Sequence, residues 1–227
     1  MQSRAERTRQ ALVEATAELI ADGRPADAGL VNICHRAGVS RGALYHHFPS
    51  IGALTDAVRE EARARLLALL AEAFAVADGN GLERFLVLFG RALREEKIVR
   101  AGMRLAADGP AGPPRLRDEL LALVRERVAG PPGSGPRGRD LADLALVLTV
   151  GVEALGHADP RWWEAGTVRR LWQLLRPVFP PPSVQAPEPV QAPAPVQAPV
   201  PGCREKECVP ASGSGLPPAP GAGGGTR

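Results

Sequence analysis

Apolar residues recur along this chain at helical rather than strand spacing. Ala11, Leu12, Ala15, Leu19 and Ile20 form one stripe, which predicts a helix from Arg4 to about Ala21. Ser3-Arg-Ala-Glu6 in front of it reads as a capping box, in which serine and glutamate each satisfy the other's backbone N–H. Asp22-Gly23 ends the helix, and residues 24–29 read as a loop. Leu30, Ile33 and Cys34 lie at i, i+3, i+4 and predict a second, short helix with one buried face. Ala37-Gly38-Val39 breaks it, with Gly38 where a positive φ costs little, and Val39 plugs the angle that follows. Ser40 then N-caps a third helix, whose inward residues are Leu44 and Phe48. Residues 30–48 thus read as two helices joined by a tight glycine turn. That is the helix-turn-helix, whose second helix enters the DNA major groove.

The remainder is helical by the same test. A long helix is predicted from about Ser50 to Ala77. Its Leu54, Ala57 and Val58 face the N-terminal bundle, and its Leu66, Leu67, Leu69, Leu70, Ala73 and Phe74 enter a larger core. Residues 78–81 form a turn, and a helix over 81–96 buries Leu82, Phe85, Leu86, Phe89 and Leu93. Residues 115–129 place Leu116, Leu120, Leu123 and Val124 inward. A Gly/Pro loop over 130–138 leads to a very apolar helix, Leu141 to Leu155. Asp159-Pro160 opens the last helix as N-cap and N1, carrying Trp162, Trp163, Val168, Leu171, Trp172, Leu175 and Val178. Two such helices carry more apolar surface than one subunit needs, which predicts self-association. Glu153 and His157 share a face at i, i+4 as polar groups of a pocket or an interface. From Pro180 the composition changes. Val-Gln-Ala-Pro recurs at 184, 190 and 196, and such a segment cannot build a core, so a polyproline-like disordered tail is expected.

Ala37-Gly38-Val39-Ser40, Gly42, Leu44-Tyr45 and His47-Phe48 stand at the spacing A-G-V-S-x-G-x-L-Y-x-H-F. On these residues the chain resembles the TetR family of transcriptional regulators, over roughly residues 4–180. The resemblance implies an all-α fold in three parts. Residues 1–50 are a three-helix bundle with the helix-turn-helix, 51–179 a larger helical domain for ligand binding and dimerisation, and 180–227 the disordered Pro-rich tail. It also implies a homodimer, built from the last two helices, that reads a pseudo-palindrome in double-stranded DNA and represses transcription until a small-molecule effector releases it.

In the third helix Arg41 and Ala43 are the candidates for base contact. Arginine pairs with guanine O6 and N7, and a small alanine meets a thymine methyl. Gly42 lets the backbone approach closely, and Ser40 donates to a phosphate besides capping. Tyr45 and His46 resemble the family's phosphate-contacting pair. Arg4, Arg7 and Arg9 at the front of the first helix also stand where they reach phosphates. Two threonines usual in the family are Ala28 and Gly29 here, and a usual lysine is Ile51. These exchanges remove sequence-independent contacts that dominate affinity. They favour an alternative, a helical interaction protein with weakened or lost DNA binding.

Arg100-Ala-Gly-Met-Arg-Leu-Ala-Ala-Asp-Gly109, followed by a Pro-containing loop to Pro114, resembles the γ-butyrolactone receptor branch of the family. It implies a pocket lined by Val99, Met103, Leu105 and Leu120, with ordinary core as the competing role for these residues. The receptors carry a tryptophan near the position of Leu120, whereas no Trp lies between 100 and 161 here. A pseudo-receptor for another small molecule, or for none, fits as well.

Composition narrows the rest. The 227 residues allow one or two domains, and 44% are apolar but only 4% aromatic, so the core is mostly Leu, Val and Ala. That composition favours helices. A net charge of +3 permits nucleic acid without demanding it. Three cysteines make no disulfide framework. Cys34 reads as a small hydrophobe, while Cys203 and Cys208 in the tail can pair or bind metal, though no second pair of ligands supports a zinc site. His46 and His47 are helix neighbours that do not face one point, so no metal site is expected. No glycine-rich phosphate loop or nucleophile elbow occurs, so neither an enzyme nor a cofactor is expected. The polar opening is unlike a signal peptide, and no uninterrupted apolar run approaches the roughly 18 residues of a membrane span. A cytoplasmic protein without a membrane partner is the expectation.

Overall fold

The computed structural model describes residues 3–23, 29–108, 115–130 and 135–179. All regular structure among them is helical. The first helix, α1 (Arg4–Ala21), begins with the capping box: Glu6 N–H donates to Ser3 Oγ at 3.1 Å, and Ser3 N–H to Glu6 Oε2 at 2.8 Å. Its buried face is broader than the apolar stripe, taking in Val13, Thr16 and Ala17. Thr16 is tolerated there because its hydroxyl donates to the Leu12 carbonyl at 2.8 Å. Helices α2 (Leu30–Ala37) and α3 (Arg41–His47) lean on α1. Together with the N-terminal half of α4 (Ile51–Ala73) they enclose a core of Leu12, Ile20, Ile33, Cys34, Leu44, Phe48, Leu54 and Val58.

A second, larger apolar cluster continues from Ala62 of α4 through α5 (Gly81–Glu95), α6 (Lys97–Asp108), α7 (Leu116–Ala129), α8 (Gly135–Ala158), a 3-10 turn (Pro160–Trp163) and α9 (Ala165–Leu175). Phe85 and Phe89 stack at its centre, with ring centroids 5.5 Å apart. The two clusters meet at α6. Its Ala101 is buried in the N-terminal cluster, while Val99 and Met103 are buried in the larger one.

Three boundaries differ from the expectations above, and one further helix stands where none was assigned. The helix expected to reach Ala77 ends at Ala73. Arg84 of the next helix takes over its end, donating through Nε to the Ala73 carbonyl at 2.7 Å and through Nη2 to the Val76 carbonyl at 2.9 Å. Those carbonyls are therefore satisfied without a further helical turn. The segment around Arg100 is a separate helix, α6. Glu96, in extended conformation between α5 and α6, is held by a bidentate Arg65 at 2.7 Å on each oxygen.

The Gly/Pro loop expected to reach Gly138 is helical from Gly135, because Pro136 fits a first turn where no N–H is needed; residues 131–134 lie outside the described residues. The expected single last helix is two pieces. Asp159 caps the 3-10 turn by accepting from Arg161 N–H at 3.1 Å, and an extended Glu164 separates it from α9. The break lets Trp163 turn inward, where its Nε1 donates to the Val152 carbonyl at 3.0 Å.

Helix α8 is more apolar than its uninterrupted runs suggest. The stretch Pro136–Ala158 has a mean hydropathy of 1.5 and is long and apolar enough to cross a membrane by length and composition. In the fold this helix packs on α5, α7 and the 3-10 turn, and it carries Glu153 on its inner side. The expected tail from Pro180, with Cys203 and Cys208, lies outside the described residues.

Candidate nucleic-acid interface

The turn between α2 and α3 is built by hydrogen bonds that one glycine permits. Gly38 adopts φ 65°, ψ 32°. Its N–H donates to the His35 carbonyl at 3.2 Å, and Val39 N–H to the Cys34 carbonyl at 3.0 Å. This is the Schellman pair, which closes a helix with a left-handed residue. Val39 packs partly buried on the N-terminal cluster. Ser40 then caps α3 by accepting from Ala43 N–H at 3.2 Å. A side-chain cap of this kind stabilises a helix by about 1 kcal/mol, which matters in a helix of seven residues.

Leu44, fully buried, and Phe48, 4% exposed, anchor α3 inward. The opposite face then has to point to solvent. Ser40, Arg41, Gly42, Tyr45 and His46 are all exposed, and Ala43 is half-buried beside them. Tyr45 is 54% exposed. Among the described residues neither Arg41 nor Tyr45 makes an ion pair or a side-chain hydrogen bond. The six residues singled out in the sequence thus lie on α3 or at its N-cap, away from buried Leu44.

The supporting residues divide differently. Arg4 and Arg7 are exposed at the front of α1. Arg9 instead lies over the Phe48 ring, its guanidinium carbon 5.1 Å from the centroid, and so braces α3 from behind. Gly29 N-caps α2 without any side-chain hydrogen bond, and Ala28 lies outside the described residues. Ile51 is half-buried at the first position of α4, after Ser50, which caps that helix through Ala53 N–H at 3.0 Å. Glu18 ties the bundle to its neighbours, meeting Lys97 at 2.8 Å and Arg36 at 3.4 Å. The Lys97 hydrogen bond, with the charges of Lys97 and Arg36, holds the Glu18 carboxyl below its ordinary range against a smaller opposing effect of burial.

A profile described as "Bacterial regulatory proteins, tetR family" matches residues 12–58, from within α1 to within α4. The A-factor receptor protein of Streptomyces griseus is 28% identical over 197 residues, covering 82% of this chain and 68% of the receptor. A solved γ-butyrolactone receptor (ArpA-like protein) is 25% identical with a TM-score of 0.62, covering 76% of this chain and 88% of that one. CprB from Streptomyces coelicolor, solved in complex with its biological operator sequence, is 27% identical with a TM-score of 0.59 over 76% of this chain and 88% of its own. Residues 12–58 are a TetR-family DNA-binding domain. Along most of its length the chain is similar to regulators of the γ-butyrolactone receptor branch of that family.

The four residues singled out for a ligand separate in the structure. Val99, Met103 and Leu120 are buried in the larger cluster, whereas Leu105 packs on the N-terminal one. A cavity of about 420 Å³ lies elsewhere in the same domain. Phe74, Leu82, Val128, Leu141 and Phe179 wall it, and Arg127 stands at its edge. A groove of about 580 Å³ beside α5 and α9 is lined largely by charge, including Arg84, Arg91, Arg169 and Arg176. Val99, Met103 and Leu105 line neither. Sequence reasoning missed the cavity residues because they come from five separate places along the chain. The one local signal was Phe179, a lone aromatic before a run of prolines.

Proposed function

We propose that this regulator binds a pseudo-palindromic operator as a homodimer and represses transcription until a small molecule enters the larger helical domain. The observation that carries the reading is α3: a short helix pinned by Leu44, Phe48 and the Ser40 cap, with Arg41 and Tyr45 exposed and unengaged. Arg41 is assigned to a guanine edge and Ala43 to a thymine methyl. Ser40, Tyr45 and His46 are assigned to phosphates, and Gly42 to close backbone approach. The operator complex of CprB supports the DNA partner, and the A-factor and γ-butyrolactone receptors support an effector. A soluble cytoplasmic regulator fits these roles.

The homodimer is supported by two apolar stripes that one protomer leaves uncovered. Val147, Val150 and Leu155 on α8 are exposed, as are Leu171, Leu174 and Val178 on and after α9. Each set recurs at helical spacing, the pattern of a helix seam awaiting a partner. A two-fold copy of this face places two α3 helices for successive major grooves.

The effector is assigned to the cavity of about 420 Å³, whose size and apolar walls suit a small organic molecule. Val99, Met103 and Leu120 belong to the cluster that backs it. Phe74 in its wall directly follows α4, whose first residues, Leu54 and Val58, sit in the core beneath α3. A 23-residue helix spans about 35 Å. A ligand that moves the Phe74 end therefore tilts the head through a rigid rod, and differential binding to the two arrangements sets the size of the response.

Fluorescence anisotropy on an operator recovered by selection tests the reader helix. Arg41→Ala and Tyr45→Phe are expected to weaken binding by about tenfold or more, within the roughly 1–3 kcal/mol of one specific contact, while the dimer stays folded. Unchanged affinity in both variants removes α3 as the reader. Gly29, which caps α2 with no side chain, and the uncharged Ile51 favour a second reading, a helical interaction protein that has lost DNA binding. Absence of any shift at moderate salt with DNA from upstream of the protein's own gene selects that reading.

A further inference from the structure

Arg100 and Arg104 lie one turn apart on α6 and face the same way. Both have a buried Nε that finds no hydrogen-bond partner. Native proteins pair nearly all such groups, and a charged donor left unpaired out of water is costly. Around them stands an aromatic and basic wall. The Arg100 guanidinium carbon is 5.8 Å from the Trp163 ring centroid, and His157 meets the same indole edge-on at 5.2 Å. Arg117, on α7, is already committed to Glu153, donating through Nε at 3.1 Å and Nη2 at 2.5 Å. Among the described residues, therefore, the carboxylate in this group is spent on Arg117, and Arg100 and Arg104 have none.

The charges agree with that geometry. Burial, and then the positive fields of Arg104, Arg100 and Arg117, push the His157 imidazole below its ordinary range, so it stands neutral near pH 7. The location is also informative. Nη1 of Arg104 lies 2.7 Å from where a Cβ on Gly23 would sit, at the end of α1. Trp163 belongs to the larger cluster, whereas the last turn of α1 belongs to the N-terminal one. The unpaired guanidiniums thus sit where the DNA-reading bundle meets the larger domain.

We propose that Arg100 and Arg104 anchor a second small-molecule site, separate from the apolar cavity, that takes an organic acid through its carboxylate. A guanidinium fork is shaped to receive a carboxylate on two oxygens. Neutral His157 completes the site without adding to the charge. An acid held there bridges α6 to the end of α1, so its occupancy bears on the head directly.

The test uses the full-length protein at fixed ionic strength. Acetate, hexanoate and benzoate are titrated against acetamide, hexanamide and benzamide, with tryptophan emission and thermal unfolding as readouts. At least one acid is expected to give a saturable emission change and a higher Tm, with its amide giving neither. Arg100→Gln and Arg104→Gln are each expected to weaken half-saturation by about tenfold or more, as loss of a charge-assisted bond implies. Without ligand, each variant is expected to hold its Tm or gain about 2–4 °C, since a buried Nε without a partner is removed. Equal responses to acid and amide, no response to any acid, or a full response in both variants overturns the proposal. A lower ligand-free Tm in Arg104→Gln with the acid response intact makes Arg104 a strut on α1 and overturns its assignment.

Discussion

Gly156→Ala is expected to destabilise the larger domain out of proportion to one methyl group. Gly156 lies in α8, where a Cβ would stand 1.9 Å from Trp163 Nε1 and 2.3 Å from its Cδ1. The indole cannot slide aside. It is 4% exposed, its Nε1 is bonded to the Val152 carbonyl at 3.0 Å, and the His157 ring meets it edge-on. Adding the methyl breaks that hydrogen bond, worth about 1 kcal/mol, and forces repacking that costs about 1–3 kcal/mol. The sum is about 2–4 kcal/mol, below the roughly 3–5 kcal/mol expected for deleting a buried Trp altogether.

Equilibrium denaturation at one fixed protomer concentration measures this, since the proposed dimer would make stability concentration-dependent. Trp163→Leu supplies the control. With the indole gone the clash goes too, so Gly156→Ala in that background is expected to cost less than about 1 kcal/mol. A Gly156→Ala protein within about 0.5 kcal/mol of the parent, the range of an inconsequential surface change, refutes the close packing of Trp163 on α8. Equal costs in both backgrounds refute it as well.

Three further outcomes follow from other parts of the fold. Val147→Glu with Leu174→Glu puts two charges on the exposed stripes and is expected to yield a folded monomer by sedimentation; a dimer of unchanged affinity places the interface elsewhere. Gly38→Ala forces an alanine into φ 65°, at a cost of about 1 kcal/mol, and is expected to weaken DNA binding more than it lowers Tm, because the angle between α2 and α3 is what relaxes. Equal binding by the two proteins contradicts that role.

Glu153→Gln tests a buried carboxyl. Burial raises its pKa, and the hydrogen bond and charge of Arg117 only partly oppose that. A folded pKa above the unfolded one, near 4.5, means that this group's stabilisation is complete below the unfolded value and is lost as pH rises through the folded value. The glutamine variant is expected to flatten the stability profile on that rising-pH limb. Parallel profiles for the two proteins contradict the assignment.

Local chemistry is what the sequence displays most clearly. The Ser3–Glu6 box, the Gly38 turn and the Ser40 cap each depend on residues within five positions of one another. The solvent-facing side of α3 follows from them once Leu44 and Phe48 are assigned inward. The end of α4 was not legible in this way, because the donor that satisfies it, Arg84, is eleven residues further along. The last helix broke in two because Trp163 is drawn inward by Val152 and Gly156, a tertiary preference that no helical periodicity contains. The cavity was hidden for a related reason. Phe74, Leu82, Val128, Leu141 and Phe179 meet only through the fold, whereas Val99, Met103 and Leu105 share a short phrase but divide between two cores. Arg9 shows the same limit at the other site, since its place over Phe48 depends on how α1 and α3 cross.

Selection of the full-length protein against a pool of random double-stranded DNA bears most directly on the central claim. A dimeric regulator reading through α3 is predicted to enrich an inverted repeat, with half-sites one helical turn or a multiple of about 10 base pairs apart. Failure to enrich any sequence, with a folded dimer shown by sedimentation in the same buffer, contradicts sequence-specific DNA reading by this chain.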